Sequence, residues 1–245
     1  MQHKNTPKLL SKPPVGEISK NYQAIEEFFY FIKIGDIDSV VDYLNLGMDA
    51  NIRQILDRKN GTTALMCSIA HRRVFITKLL LTTYKADPNL ASYKFNISNI
   101  TPLMLAAQQG PIESIKTLLT NGAKINAQTT GVVAGNSALM IAIQQNKYNI
   151  VKLLIDNDAD VNNISDTGIT PLMIAAKIGN IDIVNLLIAT PQINIHTVNK
   201  AGQNALIYGY ISGNIEIVQL LTKLGITTNL TPKEIKLIIK QNINT

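Results

Sequence analysis

The 245-residue chain is poor in the residue types that build disulfides, metal centres and aromatic cores. It contains one cysteine, three histidines, five phenylalanines and no tryptophan. A single cysteine excludes an internal disulfide and any zinc site that needs several cysteines. The histidines, His3, His71 and His196, lie far apart in the sequence. We therefore expect an aliphatic core, with neither a cofactor nor a metal ion.

Long hydrophobic runs are also missing. No apolar run approaches the roughly 18 residues that a membrane-spanning helix requires. The first 20 residues contain Pro7, Pro13 and Pro14 and no apolar segment of signal-peptide length. The sequence therefore predicts a flexible N-terminal arm over residues 1–20 and a cytoplasmic protein without a membrane span.

Charge is sparse and only modestly one-sided. The chain has 23 lysines and arginines against 17 aspartates and glutamates, a formal net charge of +6 at pH 7. Most of the basic residues are interspersed with acidic ones, which is typical of a solvated surface. Binding of nucleic acid or anionic lipid is the alternative that a basic balance allows.

A short motif of a hydroxyl or amide residue, Ala or Pro, and Leu recurs every 33 to 38 residues. In the copy Thr170-Pro171-Leu172 the threonine suits a helix N-cap and the proline suits the first helical position. Gly179, seven residues after this leucine, is suited to end the helix in a left-handed conformation. An aliphatic block that suits a second helix follows each motif. The five motifs begin at Thr63, Thr101, Ser137, Thr170 and Asn204.

The best copy spans Asp166 to His196 and reads DTGITPLMIAAKIGNIDIVNLLIATPQINIH. It resembles the ankyrin repeat, and the resemblance covers about residues 24–230, with a divergent first copy around Phe28 and Gly35. It implies an all-α ankyrin-repeat solenoid of helix-turn-helix repeats with hairpin fingers. Neighbouring repeats then stabilise one another, because none buries its apolar face alone. The six predicted repeats are about 24–56, 57–94, 95–131, 132–164, 165–198 and 199–230.

The chain departs from the family pattern at one recurring position. The histidine that the family places after the leucine is replaced by Met66, Met104, Met140 and Met173. In the family this histidine braces the turns by hydrogen bonds. We predict that apolar packing replaces those hydrogen bonds at these sites. At the other end of the chain, Thr231-Pro232-Lys233-Glu234 has the form of a capping box and predicts a C-terminal capping helix over 231–245.

Two features look like chemical sites but are better explained by structure. Cys67 is expected to be a small apolar residue inside a helix. The closely spaced Asp156, Asp158 and Asp160 fall in a turn that the family shares, so we do not interpret them as catalytic or metal-binding acids. The sequence therefore predicts no enzyme.

The resemblance implies where a partner binds. Ankyrin proteins, as a family, hold partner proteins with their fingertips and with the concave face formed by the first helix of each repeat. We therefore predict a non-enzymatic, monomeric protein–protein interaction module. On the concave face, the family's variable positions correspond to His71, Gln108, Gln109, Gln144 and Gln145.

The predicted fingers are longest in the N-terminal half. The second carries Tyr93 and Phe95, and the third carries Val132 and Val133. Exposed aromatic and apolar side chains in loops are candidate contacts for a partner. The alternative is that these fingers fold back and pack on the next finger.

A basic set in the second repeat is a further candidate surface. It suits an acidic partner, because arginine binds carboxylates and phosphates in a bidentate manner. With the lysine-bearing arm, it is also the surface that nucleic acid or anionic lipid would use; a merely solvated face is the other interpretation. The set comprises Arg53, Arg58, Lys59, Arg72, Arg73 and Lys78.

The composition suggests a biological setting. Short ankyrin proteins with this bias toward Ile, Asn and Lys look like those of intracellular bacteria and large DNA viruses. On that resemblance, delivery into the cytosol of a host cell, as an effector, is an expectation that the sequence itself does not test.

Overall fold

The computed structural model describes residues 18–54, 61–94, 97–131, 134–228 and 230–243, except for the side chains at 93, 94, 97, 98, 239 and 241–243. This part of the chain forms six helix pairs and a final helix. The first helices, here called inner helices, are α1 (Tyr22–Ile34), α3 (Ala64–Ala70), α5 (Pro102–Gln109), α7 (Ala138–Gln144), α9 (Pro171–Ile178) and α11 (Ala205–Ser212). The second, or outer, helices are α2 (Ile37–Asn45), α4 (Val74–Thr82), α6 (Ile112–Thr120), α8 (Tyr148–Ile155), α10 (Ile181–Ile188) and α12 (Ile215–Lys223), and α13 (Pro232–Ile243) follows.

The helices stack in two rows. Each inner helix contacts the next inner helix, and α11 contacts α13 at the end of the row. Each outer helix contacts its own inner helix, so one continuous apolar core runs between the rows. The predicted repeat windows each contain one helix pair, except that α1 begins at Tyr22, two residues before the first window.

The last residues of the predicted N-terminal arm are packed against the repeats. Residues Ile18–Lys20 form a 3-10 turn, and the side chain of Ile18 is fully buried. The first helix pair also holds an aromatic cluster, in which Tyr43 contacts both Phe28 and Phe31. Among the described residues this pair has a neighbouring helix pair on one side only, and these large side chains enlarge its own core.

The inner helices after α1 begin at the residues that the motif predicts. In each, the side-chain oxygen of the N-cap residue accepts a hydrogen bond from the backbone N–H three residues later, at 3.1–3.4 Å. This bond satisfies one of the N–H groups that a helix start leaves without a partner. The N-cap residues are Thr63, Thr101, Ser137, Thr170 and Asn204.

The ends of the inner helices fall into two types. Gly179 ends α9 in the predicted left-handed conformation, with φ of 79°. Arg72 and Asn146 hold the same place after α3 and α7 with φ of 57° and 54°, although both carry a side chain. Gly110 differs, because its φ of −75° and ψ of 164° are extended. The following Pro111 disfavours helical geometry at the preceding residue.

The methionines that replace the family histidine are buried, as predicted. Two of them still accept a hydrogen bond, however. The sulfur of Met104 accepts the backbone N–H of Thr101 at 3.5 Å, and the sulfur of Met140 accepts the side-chain N–H of Asn163 at 2.8 Å. The exchange of polar bracing for apolar packing is therefore only partial.

Asparagines in the turns after the outer helices connect successive repeats. In each, the side-chain oxygen accepts a backbone N–H from the next repeat at 2.7–2.8 Å. Three of them also donate their side-chain N–H to a carbonyl oxygen of that repeat. We call these residues the asparagine ladder. They are Asn51, Asn89, Asn126 and Asn162.

The second and third fingers pair with each other. Strand β1 (Ser92–Lys94) pairs antiparallel with β2 (Ile97–Ile100), and β2 pairs antiparallel with β3 (Thr130–Gly131). Ser98 lies opposite Thr130 in this small sheet. The backbone of the second finger is therefore packed on the third, as the alternative interpretation of the long fingers predicts.

The C-terminal helix closes the stack. Thr231 and Glu234 form the predicted capping box: the backbone N–H of Thr231 donates to the Glu234 carboxylate at 2.7 Å. The backbone N–H of Glu234 donates in return to the Thr231 hydroxyl at 3.3 Å. Hydrogen bonds from the side chain and backbone of Thr231 lower the pKa of the Glu234 carboxyl.

We expect Asn162→Ala to lower the free energy of unfolding by about 1–3 kcal/mol, because it removes two inter-repeat hydrogen bonds. Urea unfolding followed by circular dichroism measures this loss. Asn185→Ala is the control, since Asn185 is an exposed asparagine on α10 without a ladder contact. Equal urea midpoints for the two variants would show that the ladder does not stabilise the stack.

The two types of helix end predict opposite responses to substitution. A Cβ at Gly110 would lie 2.7 Å from Cα of Ala106, so Gly110→Ala should destabilise the protein by about 1–3 kcal/mol. Arg72→Gly relieves a left-handed conformation that costs a side-chain-bearing residue about 1–2 kcal/mol. It should therefore leave the melting temperature unchanged or raise it. Thermal unfolding of the two variants side by side checks both expectations.

Candidate functional site

The structure brings the residues predicted on the concave face together at one edge of the stack. His71, Gln108, Gln109, Gln144 and Gln145 are all exposed, at the C-terminal ends of α3, α5 and α7. These three inner helices are successive neighbours. The fingers precede the inner helices, so this edge, where each inner helix turns into its outer helix, lies opposite the fingers. We call it the turn edge.

The amide groups of the four glutamines are available to a partner. Within the described residues their side chains make no hydrogen bond, whereas two of their backbone carbonyls do. The carbonyl of Gln108 accepts from Nζ of Lys147 at 2.8 Å, and that of Gln109 accepts from Nη1 of Arg72 at 3.1 Å. Two cations from different repeats therefore meet at the C-terminus of α5, where free carbonyls and the helix dipole favour positive charge.

A shallow cleft opens beside these cations. It has a volume of about 480 Å³ and lies between the starts of α6 and α8. Successive outer helices make the least contact with each other at this pair. No aspartate or glutamate is among the lining residues of what we call the turn-edge cleft. The lining comprises Arg72, Gly110, Pro111, Ile112, Asn146, Lys147, Tyr148, Asn149 and Ile150.

The outer helices around the cleft start differently from the others. Asp36, Asn180 and Asn214 cap α2, α10 and α12 with a side-chain oxygen at 3.1–3.2 Å. The N-cap residues of the three helices between them, α4, α6 and α8, make no side-chain cap hydrogen bond. The repeats that line the cleft thus lack a capping side chain at these positions. The three N-cap residues are Arg73, Pro111 and Lys147.

The described members of the basic set of the second repeat differ in their surroundings. Arg73 donates through Nε and Nη2 to the carbonyl of Lys33, at 3.0 and 2.6 Å. Arg53 donates to the carbonyl of Ala91 at 2.9 Å and to that of Gly61. Both guanidinium groups thus hydrogen-bond to the backbone of other parts of the chain. Arg58 and Lys59 lie outside the described residues, and Lys78 is exposed on α4.

The finger candidates fall largely beyond what the structure describes. Tyr93 lies in β1, but its side chain is not described. Phe95, Val132 and Val133 lie outside the described residues. Their part in partner binding stays a prediction.

The features that resemble chemical sites have structural roles. Cys67 is buried, and burial raises the pKa of its thiol from 9.0 to about 12. The ring of His71 is tied back to the same helix by Nδ1, 3.0 Å from the carbonyl of Cys67. Asp160 accepts the backbone N–H of Asn162 at 2.8 Å inside its turn, and Asp156 pairs with Lys152 at 3.0 Å. Across the described residues, no group of histidine, cysteine and acidic side chains is arranged to hold a metal ion.

Lys147, Pro111 and Tyr148 are site residues that sequence reasoning missed. One signal was readable: the residue before each outer helix is Asp or Asn in repeats one, five and six but Arg, Pro and Lys in repeats two to four. That signal distinguishes repeats two to four from the others, but it does not predict the cleft. The cleft depends on how far α6 stands from α8.

The stacked helix pairs, asparagine ladder and terminal capping helix define a helical-repeat solenoid. A family model for ankyrin repeats in three copies matches residues 28–129 and 139–232. The chain therefore belongs to the ankyrin-repeat family, whose members are generally protein–protein interaction modules. In the described ranges, no helix has the length and apolar character needed to cross a membrane.

The burial of Cys67 predicts its reactivity. A pKa of about 12 instead of 9.0 lowers the thiolate fraction at pH 8 about a thousandfold. We expect Cys67 to react with a chromogenic disulfide reagent only after unfolding, and at once in denaturant. An added exposed cysteine, Asn185→Cys, is the positive control. Rapid modification of Cys67 in the native protein would contradict the burial.

Proposed function

We propose that this protein is a non-enzymatic binding module that holds a partner protein along the inner helices of repeats two to four. The observation that carries the proposal is the set of four exposed glutamines at the ends of α5 and α7, at the turn edge. Each amide offers an acceptor oxygen and two N–H donors.

The chemistry of this surface suits a protein interface. Charged residues are depleted at interface centres, because their desolvation is expensive, whereas neutral amides bond to a partner's backbone or side chains at lower cost. The inner helices α3, α5, α7, α9 and α11 contain no aspartate or glutamate. A partner can therefore approach the row without burying a carboxylate of this protein.

The fingers extend the proposed surface. The small sheet of β1, β2 and β3 joins the second and third fingers of the same repeats that carry the glutamines. We propose that Tyr93 and Phe95, and Val132 and Val133 beyond β3, contribute apolar contacts there. The proposed setting is a cytosol, either of the producing cell or of a host cell that receives the protein as an effector.

Arg53 and Arg73 are half-buried and bond to carbonyls in different repeats, those of Ala91 and Lys33. This separation reduces the support for nucleic acid or anionic lipid as the ligand. Such binding would depend on many free cations and would weaken steeply with salt. The following experiment distinguishes binding of nucleic acid from binding of a protein.

The test is affinity capture from cytosolic extract by the full chain, with mass spectrometry of the captured proteins. The double variant Gln108→Ala/Gln144→Ala should weaken capture about tenfold, as expected for the loss of two hydrogen bonds of about 0.5–1.5 kcal/mol each. Alanine is a strong helix former, so the fold should persist.

Asn185→Ala/Gln219→Ala is the matched control, because these amides are exposed on the outer helices α10 and α12. The proposal is supported if the control variant still captures proteins that the Gln108→Ala/Gln144→Ala variant no longer captures. Failure of the unaltered chain to capture any protein after nuclease treatment, or equal capture by both variants, overturns it.

A further inference from the structure

We propose that the turn-edge cleft recognises an acidic peptide segment of the partner, in which a carboxylate side chain stands next to an apolar one. The carboxylate bonds to Arg72 and Lys147, and the apolar side chain packs against Pro111, Ile112 and Tyr148. This inference rests on the proposed function and names the chemistry of the segment that the partner presents.

The electrostatics of the cleft favour an anion. Arg72 and Lys147 are the charged residues of its lining, and both are cations. The nearest acid in sequence, Glu113, is exposed on α6 and faces Lys116 at 3.9 Å. Two cations without an acid leave a local excess of positive charge, which a carboxylate neutralises.

The two cations retain donors for a ligand. Arg72 uses Nη1 on the carbonyl of Gln109, and Lys147 uses Nζ on the carbonyl of Gln108. A guanidinium has five N–H donors and an ammonium has three, so most remain free after these bonds. The carbonyls hold both side chains in place, which reduces the entropy that binding would otherwise cost.

The apolar half of the site is visible on the same edge. Tyr148, at the start of α8, lines the cleft and is 39% exposed. Pro111 and Ile112 line it at the start of α6 and are half-buried. Apolar side chains that stand together on a surface mark places where partners bind.

The backbone at Arg72 adds a second line of support. Repeats one, five and six place Gly35, Gly179 and Gly213 in the left-handed conformation that Arg72 adopts. A side chain at this place strains the backbone, and glycine avoids that strain. Strain of this kind persists where a side chain has a use, and here the side chain lines the cleft.

The charges around the cleft favour a short segment over a long polyanion. On either side of the cleft, the first turns of α2, α10 and α12 carry Asp38, Asp182 and Glu216. The first turn of α6, at the cleft, carries only Glu113, which faces Lys116. A nucleic acid that followed the turn edge would meet these carboxylates within a few repeats. One or two carboxylates on a peptide occupy the cleft alone and avoid them.

The experiment selects binders from a random peptide library displayed on phage, with the full chain as bait. The site variant is Arg72→Gly/Lys147→Asn, which copies the glycine and capping asparagine of repeat five. It removes both cations while retaining sequences that the stack already accommodates. The control Lys124→Gln/Lys200→Gln removes two exposed cations elsewhere and changes the net charge equally.

We expect the selected peptides to share an Asp or Glu next to an aliphatic or aromatic residue. By fluorescence anisotropy, the site variant should bind them at least tenfold more weakly, and the control should bind them unchanged. Replacing the acidic residue of a peptide by its amide should reproduce the loss.

Selected peptides without an acidic residue, equal binding by the site variant, or no selected peptide at all would overturn the inference. So would a labelled single-stranded RNA 20-mer that binds with the same dependence on Arg72 and Lys147. None of these results touches capture through Gln108 and Gln144, so the proposed function stands or fails separately.

Discussion

The stacking of neighbouring repeats is the constraint on which this structure depends. Each helix pair is too short to bury its own apolar face, so every repeat needs the one beside it. Apolar contacts between the inner helices do not by themselves fix how neighbouring repeats align. Polar contacts between the repeats set that alignment. At the finger side the asparagine ladder joins each turn to the next, from Asn51 to Asn162. At the turn edge, contacts such as Asn214 to the carbonyl of Gly179 do the same.

The turn edge shows how one structural position is used for two purposes. In repeats one, five and six, glycine ends the inner helix and Asp or Asn caps the outer helix, which are the least strained choices. Repeats two to four depart from this pattern at Arg72, Gly110, Pro111 and Lys147. Local rules broken in one region of an otherwise regular stack point to a requirement other than stability. The charged cleft and the exposed glutamines lie in that region.

Much of the candidate surface could be predicted from the sequence. The family resemblance, applied one repeat at a time, predicted Gln108, Gln109, Gln144 and Gln145 as candidate contacts on the concave face, and the structure has all four exposed at helix ends. The sequence also predicted the buried methionines. It did not separate the roles of the arginines: Arg53, Arg72 and Arg73 look alike in sequence. Their guanidinium groups reach carbonyls 37 to 40 positions away along the chain, and such distances are set by packing.

The repeat, the helix starts, the capping helix and the aliphatic core of repeats two to five were predictable from the sequence, because each follows from local spacing and from caps a few residues apart. The aromatic core of the first helix pair departs from that prediction. Packing between repeats, by contrast, makes Gly110 extended while Gly179 is left-handed, pairs the second finger with the third, and brings Arg72 and Lys147 together beside a cleft. These outcomes depend on how closely adjacent repeats approach. That distance arises from side chains of different repeats packing against one another, and no single repeat encodes it.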